Sequence, residues 1–493
     1  MRLRSAFPAV LLVAALGALP ATPASAGGSI HVQVTSTADL PDTDTGDNVC
    51  HASNGKCTLR AAVQTANAGG GNAYTITLGP GVFTLTRTPT NEDAAAGGDL
   101  DLLQPIRVIG SGPTKTTVRI DSTKVKDRVF QALGPFAYTL QGMTISGGFV
   151  PGSDPRGDGG AFESDGISLR LVHDVVTGNH AAVSGGGVAN QDGSVVVIDT
   201  TISGNVALHN GGAIRGYNPV TLQTSTLSGN HAGGGGGGID STDNVVAENS
   251  TITGNDADFD GGGIRGGDQV TLTNTTVAGN GADNGGNLNG GDVVTLTNTI
   301  LANPTDGGNC HATVSADHSL FDHTGGCTIS GSGNVLGQEP KIGPLNRNGG
   351  PTATMALLPG SPAINAGTST QCPAADQRGV QRPQGQHCDI GAYEDPFPTV
   401  TQPAAPTVHQ ATFTVAWLVP GGKGAPRFDV RYRDQRIGHP PFGAFHSLLD
   451  HTTAHHTTFS AMFGFRYCFS ARAVDAGGNL SRFGPERCVD VRH

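Results

Sequence analysis

Residues 226–230 read TLSGN, and the phrase returns as TITGN at 251–255 and TVAGN at 276–280. Upstream it stands as Val-Thr-Gly-Asn at 176–179 and TISGN at 201–205, and it closes as TILAN at 299–303. The terminal asparagines are Asn179, Asn205, Asn230, Asn255, Asn280 and Asn303, a period of 25 residues with a shift of one or two at either end. A second phrase keeps step with the first: GGGVAN (185–190), GGAIRG (211–216), GGGIDS (236–241), GGGIRG (261–266) and GGNLNG (285–290). Self-similarity at a fixed period of this size means stacked repeats.

The content of each unit selects the kind of stack. Short β-branched runs such as Val195–Ile198 and Val270–Leu272 alternate with Gly, Asn and Asp, the residues of tight turns. No unit holds a helical period long enough for a helix-turn-helix repeat. Short strands, three corners and this repeat length fit one coil of a parallel β-helix, with coils about 4.7–4.9 Å apart. The expected fold is therefore all-β, a parallel β-helix, and the pattern resembles the right-handed solenoids of pectate-lyase-like proteins. Each phrase-ending Asn should lie over its copy in the next coil and hydrogen-bond to it as a ladder.

Glycine makes up 75 of the 493 residues and only 14% are charged. The strict spacing of the β-branched runs separates this composition from that of disordered chains. The net charge of −11 comes with no basic tract, which argues against a nucleic-acid partner.

Arg2 and Arg4, the apolar run Val10–Leu19 and Ala24-Ser25-Ala26 form a secretory signal over residues 1–26, so the mature chain is expected to start at Gly27. The run is too short to span a bilayer, and no second one follows. An exported, extracellular monomer is the expectation, with retention at the cell surface left open. Eight cysteines suit that compartment. Their nearest neighbours are Cys50 and Cys57, Cys310 and Cys327, Cys372 and Cys388, and Cys468 and Cys488. Other connectivities are open from spacing alone. Clustered metal-ligand spacing is absent, which favours structural disulfides.

Residues 27–120 are expected to hold an N-terminal cap and the first coils. In CHASNGKCTLRAAVQTANA (50–68), Thr58 can cap a helix whose Leu59, Ala62, Val63 and Ala66 share one face. Such a helix would cover the open end of the solenoid. The segment resembles the CSLREA motif at the start of secreted bacterial β-helix proteins: Cys57, Leu59 and Arg60 match, while Thr58 and Ala61 replace Ser and Glu. Residues 121–342 carry the coils proper, and their GGAI and SGN-x-A phrases resemble polymorphic outer-membrane-protein repeats. An insertion within them holds Arg156-Gly157-Asp158, a tripeptide also found in integrin ligands.

Residues 343–395 contain Asn348-Gly349-Gly350, Ser361-Pro362-Ala363-Ile364, Asp376-Gln377-Arg378-Gly379 and Asp389-Ile390-Gly391-Ala392-Tyr393-Glu394. This region closely resembles the C-terminal part of the choice-of-anchor Q family, and no anchor is expected after it. Asp376, Arg378, Arg382 and Asp389 are expected as paired charges of a C-terminal cap. A Pro-rich linker, 396–406, is expected next. Residues 407–493 alternate as strands around Trp417, Val430 and Tyr467, the pattern of a β-sandwich. With AVDAGGNLS (473–481) they resemble a fibronectin type III domain, in which Cys468 and Cys488 would join neighbouring strands.

The repeat register indicates which side chains stack. One column reads Ala189, Arg215, Asp240, Arg265, Asn289, an alternation expected to form exposed ion pairs worth about 0.2–1 kcal/mol each. Arginine is the base of several β-helix polysaccharide lyases, which makes Arg215 or Arg265 a catalytic candidate. A second column, Asp192, Asn218, Asp243, Asp268, Asp292, is expected at a corner; Asp243, Asp268 and Asp292 are candidate ligands for Ca2+, the cofactor the sequence suggests. The densest acidic group is Asp256, Asp258 and Asp260, with Asp283 one coil on. These are the candidates for paired-carboxylate glycoside chemistry. Asn249 and Asn274 each open an Asn-x-Thr sequon, but they recur with the repeat and need no glycan to explain them. His451, His455 and His456 lack any triad or H-E-x-x-H context. The expectation is a secreted binding or adhesion-type protein recognising polysaccharide or a cell-envelope component. The alternative is a lyase or glycosidase on the same scaffold.

Overall fold

The computed structural model describes residues 29–493, apart from 91, 153–156, 167, 397, 420–426, 475–477, 479 and 482. The expected signal peptide and Arg156 lie outside the described residues.

Parallel strands form three long stacks. The first begins at Ile30–Gln33 and Tyr74–Thr77 and continues through Ser194–Ile198, Val220–Gln223, Val245–Glu248 and Gln269–Thr273. The second is an 11-stranded sheet from Gly81–Leu85 to Val335–Leu336 and contains the TIS-type phrases. The third runs from Leu100–Leu102 to Leu288–Gly290 and contains the residues after the glycines. Cys310–Asp317 pairs with strands of both the first and third stacks. A fourth stack has five two-residue strands, from Phe149–Val150 to Asp256–Ala257. All these pairings are parallel and in register, so the solenoid is a parallel β-helix.

Three aliphatic columns fill the interior. Val220, Val245 and Val270 stack in the first, Leu227, Ile252 and Val277 in the second, Ile214, Ile239 and Ile264 in the third, all fully buried. Each such side chain contributes about 1.5–3 kcal/mol of burial, so every coil adds its own increment of core. The corners rest on backbone conformations. His173, Asp199, Thr224, Asn249, Asn274 and Asn298 occupy one corner with φ between 45° and 56°. Asn and Asp tolerate this region; β-branched Thr224 does not, and its hydroxyl is held by the Asp199 carboxylate. At Gly236 (φ 70°) a Cβ would lie 2.4 Å from the Ile239 carbonyl oxygen, so only glycine fits there.

The asparagine ladder runs from Asn179 through Asn205, Asn230 and Asn255 to Asn280. Asn303 is not part of it, being exposed with φ 51°. Asn287 takes its place, accepting from Asn280 Nδ2 at 2.9 Å and passing the chain to Asn309.

The helix Leu59–Ala68 packs against Leu100–Leu102 and Tyr74–Thr77 at the N-terminal end. Thr58 caps it, its Oγ1 accepting from Ala61 N at 3.1 Å. Leu59, Ala62, Val63 and Ala66 are buried, the face expected. Arg60 is fully buried too: its Nε donates to Asp39 at 2.6 Å and its two amino groups to the carbonyls of Ala95, Gly97, Gly98 and Asp99. The cysteines pair as Cys50–Cys57, Cys310–Cys327, Cys372–Cys388 and Cys468–Cys488.

Residues 343–395 do not close the end of the solenoid. They run as a strap along its outside, over the corner between the first and second stacks. Thr352 Oγ1 donates to Thr224 O, Asn249 Nδ2 to Ala375 O, Asn274 Nδ2 to Asp389 O and Asn298 Nδ2 to Thr368 O. The amides of both sequon asparagines are therefore buried beneath it. Ile300, Leu320, Leu357, Ala363, Ile390 and Tyr393 form an apolar seam between strap and solenoid. The expected charge pairing is realised as Arg378–Asp376 (2.7 Å) and Arg382–Glu394 (2.9 Å). Asp389 instead accepts from the backbone amides of Asn365 and Asp395.

The C-terminal unit has two sheets. One joins Thr399–Gln402, Thr412–Leu418 and His456–Ser460; the other joins Thr407–Val408, Arg487–Val491, Phe465–Val474, Arg427–Arg436 and His446–Thr452. Thr399–Gln402 pairs with Thr412–Leu418, so the expected linker is in part a strand of this unit. Phe413, Trp417, Phe428, Tyr467 and Phe469 fill the space between the sheets.

Candidate functional site

The fourth stack carries the acidic cluster. In each two-residue strand the second residue, Val150 in the first and alanine in the other four, faces inward and its predecessor faces out, giving a column of Phe149, His180, Val206, His231 and Asp256 in register. His231 Nδ1 lies 3.2 Å from Asp256 Oδ2, and its Nε2 lies 4.0 Å from Asp258 Oδ1. Only the Asp256 contact is within hydrogen-bond distance; Asp258 faces the ring at ion-pair range. The three side chains are 42%, 62% and 57% exposed, and beside them stand the exposed rings and branches of Phe259 and Leu208.

The remaining catalytic candidates do not join this group. Asp260 turns to the next coil, where its Oδ1 accepts from Asn284 Nδ2 and Asn289 Nδ2, both at 3.2 Å. Asp283 is exposed one coil on and outside the His231 group. Arg265 Nη1 lies 3.5 Å from Asp240 Oδ1 and 3.3 Å from Asn210 Oδ1. Arg215 binds the other oxygen of Asp240 and stacks over Tyr217 at 4.3 Å.

The Arg215–Asp240–Arg265 alternation is present, but it is not the exposed ladder expected. Asp240 is 2% and Arg215 8% exposed, because the loops after the fourth stack fold over this face. At Gly235 a Cβ would sit 2.5 Å from Arg265 Cδ. Removing the shared carboxylate would leave buried guanidinium unpaired, a cost of about 3–5 kcal/mol instead of a fraction of one.

The corner column lies where expected between the third and first stacks. Asp243 is half-buried and its Oδ1 accepts from Asn244 N, while Asp268 and Asp292 are exposed. Among the described residues, two groups of three bring possible metal-ligating atoms within 4.8 Å of one another: His231–Asp256–Asp258, and Cys468–Glu486–Cys488, which holds a disulfide. Asp243, Asp268 and Asp292 belong to neither. Asp158 of the Arg-Gly-Asp tripeptide is buried, accepting from Ser184 N and Gln191 Nε2, and burial raises its pKa.

His231 escaped the sequence reading, although it stands one repeat before Asp256 at the position following each ladder asparagine. Asn289 stands at the end of the arginine column but turns to Asp260, and Asn210 reaches Arg265 across two coils, a step the one-repeat register does not indicate.

No protein-family model matches the chain, and no curated protein sequence matches it. Among solved structures, pectate lyase Pel9A aligns with a TM-score of 0.45 at 15% identity, covering 74% of this chain and 97% of that one. The A-module of the Azotobacter vinelandii mannuronan C-5 epimerase AlgE6 aligns with a TM-score of 0.19 at 17% identity, covering 57% and 94%. Neither superposition reaches a TM-score of 0.5, and nothing about substrate or chemistry follows from them.

Proposed function

We propose that this is a secreted polysaccharide-binding protein of the cell envelope. Its contact surface is the solenoid face around His231, Asp256, Asp258 and Phe259. One observation carries this reading. The strap covers the corner between the first and second stacks from Thr224 to Asn298, whereas the fourth stack leaves a carboxylate pair, an imidazole and a phenyl ring uncovered on consecutive coils. Carboxylates that accept sugar hydroxyls beside an apolar ring suit a glycan. Four disulfides, and the lack among the described residues of a helix long and apolar enough to cross a membrane, support an extracellular setting.

The arginines support binding over lyase chemistry. A general base must be unprotonated, and both candidate guanidiniums are held by Asp240. In this reading the N-terminal helix is a CSLREA-type cap, the strap a choice-of-anchor Q-type region, and the C-terminal unit a fibronectin type III spacer or second contact.

The test is retention of the full chain on immobilised neutral and acidic polysaccharides, with and without Ca2+, together with assay of the supernatant for reducing or unsaturated ends. Retention on one polymer that is lost in Asp258→Ala/Phe259→Ala, without product, is the expected result. Release of unsaturated or reducing ends by the wild type would overturn it in favour of a lyase or hydrolase.

A further inference from the structure

The C-terminal unit carries a feature that the solenoid reading does not use. Residues 407–493 hold ten Arg and Lys against six Asp and Glu, the opposite sign to the chain as a whole. Along Arg427–Arg436, Phe428 and Val430 face the core. Alternation sends Arg431 and Arg433 to the outer side of the five-stranded sheet, about 7 Å apart. Phenyl rings interleave with these guanidiniums. Arg472 lies 4.8 Å from the Phe483 ring, Arg431 lies 3.7 Å from Phe483 and 3.6 Å from Phe445, and Arg433 lies 5.0 Å from Phe445 and 4.5 Å from Phe442.

The three guanidiniums differ in what they bind. Arg472 donates to Asp429 at 2.8 Å, and Arg433 grips Glu486 through Nε and Nη2 at 3.1 and 2.7 Å. Arg431 donates through Nε to Ser470 Oγ at 3.1 Å. Its two terminal amino groups have no acceptor among the described residues. Its cross-strand neighbours, Ser447 and Ser470, are small enough to admit a ring from either side. Phe445 and Phe483 come from opposite flanks of the strand, so they take the two planar faces of the guanidinium and leave its amino edge.

We propose that Arg431, clamped between Phe445 and Phe483, is a receptor for the carboxylates of a uronic-acid polysaccharide. A guanidinium with both faces covered has lost its rotamer freedom before binding, and its planar fork matches a carboxylate bidentately. Arg433 and Arg472 are neutralised by Glu486 and Asp429, which leaves Arg431 as the guanidinium of this cluster whose amino edge is open to a carboxylate. A nucleic acid fits less well. Stacked bases need open ring faces, and each of these rings already has a guanidinium against it. This site is on a different unit from His231 and stands independently of the solenoid reading.

The experiment uses the full chain and polygalacturonate as the probe, with affinity measured at low and moderate salt. Arg431→Gln should weaken binding at least tenfold with an unchanged melting temperature. Arg436→Gln, at an exposed arginine of the same strand outside the clamp, should leave it unchanged. Binding that survives Arg431→Gln and is lost on adding Asp258→Ala/Phe259→Ala belongs to the solenoid, so failure of the solenoid site and failure of this one are read separately. Phe445→Leu keeps the charge but opens the clamp, and should weaken binding several-fold; it also serves if Arg431→Gln does not fold. Equal affinity of the wild type and both clamp variants would overturn the proposal. So would tighter binding of dextran sulfate or single-stranded DNA than of polygalacturonate, with the same dependence on Arg431.

Discussion

Asn230 Nδ2 donates to Asn255 Oδ1 at 2.8 Å, and Asn255 Nδ2 donates to Asn280 Oδ1 at 2.9 Å. The same Asn255 oxygen also accepts from Asn230 N, and the same Nδ2 reaches Leu227 O. Each amide is thereby saturated, two donors and two acceptors, at a buried position. Asn255→Ala should strand partners on both neighbouring coils and cost about 3 kcal/mol or more in urea unfolding, since each buried orphan costs about 1–3. Asn303→Gly, outside the ladder, should be close to neutral.

Arg60 is held by one carboxylate and four backbone carbonyls. Lysine carries a charge but lacks the fork that reaches this set. Arg60→Lys should therefore destabilise the N-terminal cap nearly as much as Arg60→Ala, by about 3–5 kcal/mol. Hydrogen exchange should show the loss first in Leu59–Ala68 and in residues 95–99.

Gln377 pins the strap. Its Nε2 approaches Ser225 O, Thr226 Oγ1, Thr352 Oγ1 and Ala353 O within 3.2 Å, and its Oε1 accepts from Thr251 Oγ1 at 2.6 Å. Gln377→Ala should leave the coils intact and open the strap. Limited proteolysis should then cut within 343–395 while the rest of the solenoid stays resistant, and global unfolding should shift by about 1–3 kcal/mol.

Asp174 stands where later coils carry Thr200, Ser225 and Ser250, and its carboxylate accepts from Met143 N and Val172 N. Burial pushes its pKa up to about 8, against the opposing pull of these amides. The folded state therefore holds a proton that the unfolded chain releases near 3.8. The stabilisation is full below 3.8 and is lost as pH rises toward 8. Asp174→Ser, which restores the hydroxyl of the other coils, should raise stability at pH 8 and change it little at pH 4. Thermal unfolding at the two values measures it.

Much of the architecture was legible because a coil is a local object. The spacing of Asn205, Asn230 and Asn255 encodes which residues stack, and register follows once the period is known. The ladder's last steps were hidden because Asn287 enters from the glycine phrase. It stands where Gly238 and Gly263 stand in earlier coils, and a side chain there reaches toward the ladder amide: a Cβ at Gly263 would lie 3.0 Å from Asn280 Nδ2. The candidate site was legible in its carboxylates and not in its partners. Asp256 and Asp258 are two residues apart in sequence, while His231 is brought to them by stacking.

The sequence by itself determined the solenoid, its inward columns, the helix over its first coil and a two-sheet unit beyond it. Each of these depends on hydrophobic period, turn residues and caps, which act over a few residues or one repeat. Only the tertiary structure decided that residues 343–395 lie along the side of the solenoid and not across its end. Gln377 meets Ser225 across 152 residues, a contact with no period to announce it. The same holds for burial of Arg215 and Asp240 in the arginine column and for Arg431 between two phenyl rings. Their environments are made by loops and neighbouring strands, so exposure and pairing emerge only when separate segments of the chain close on one another.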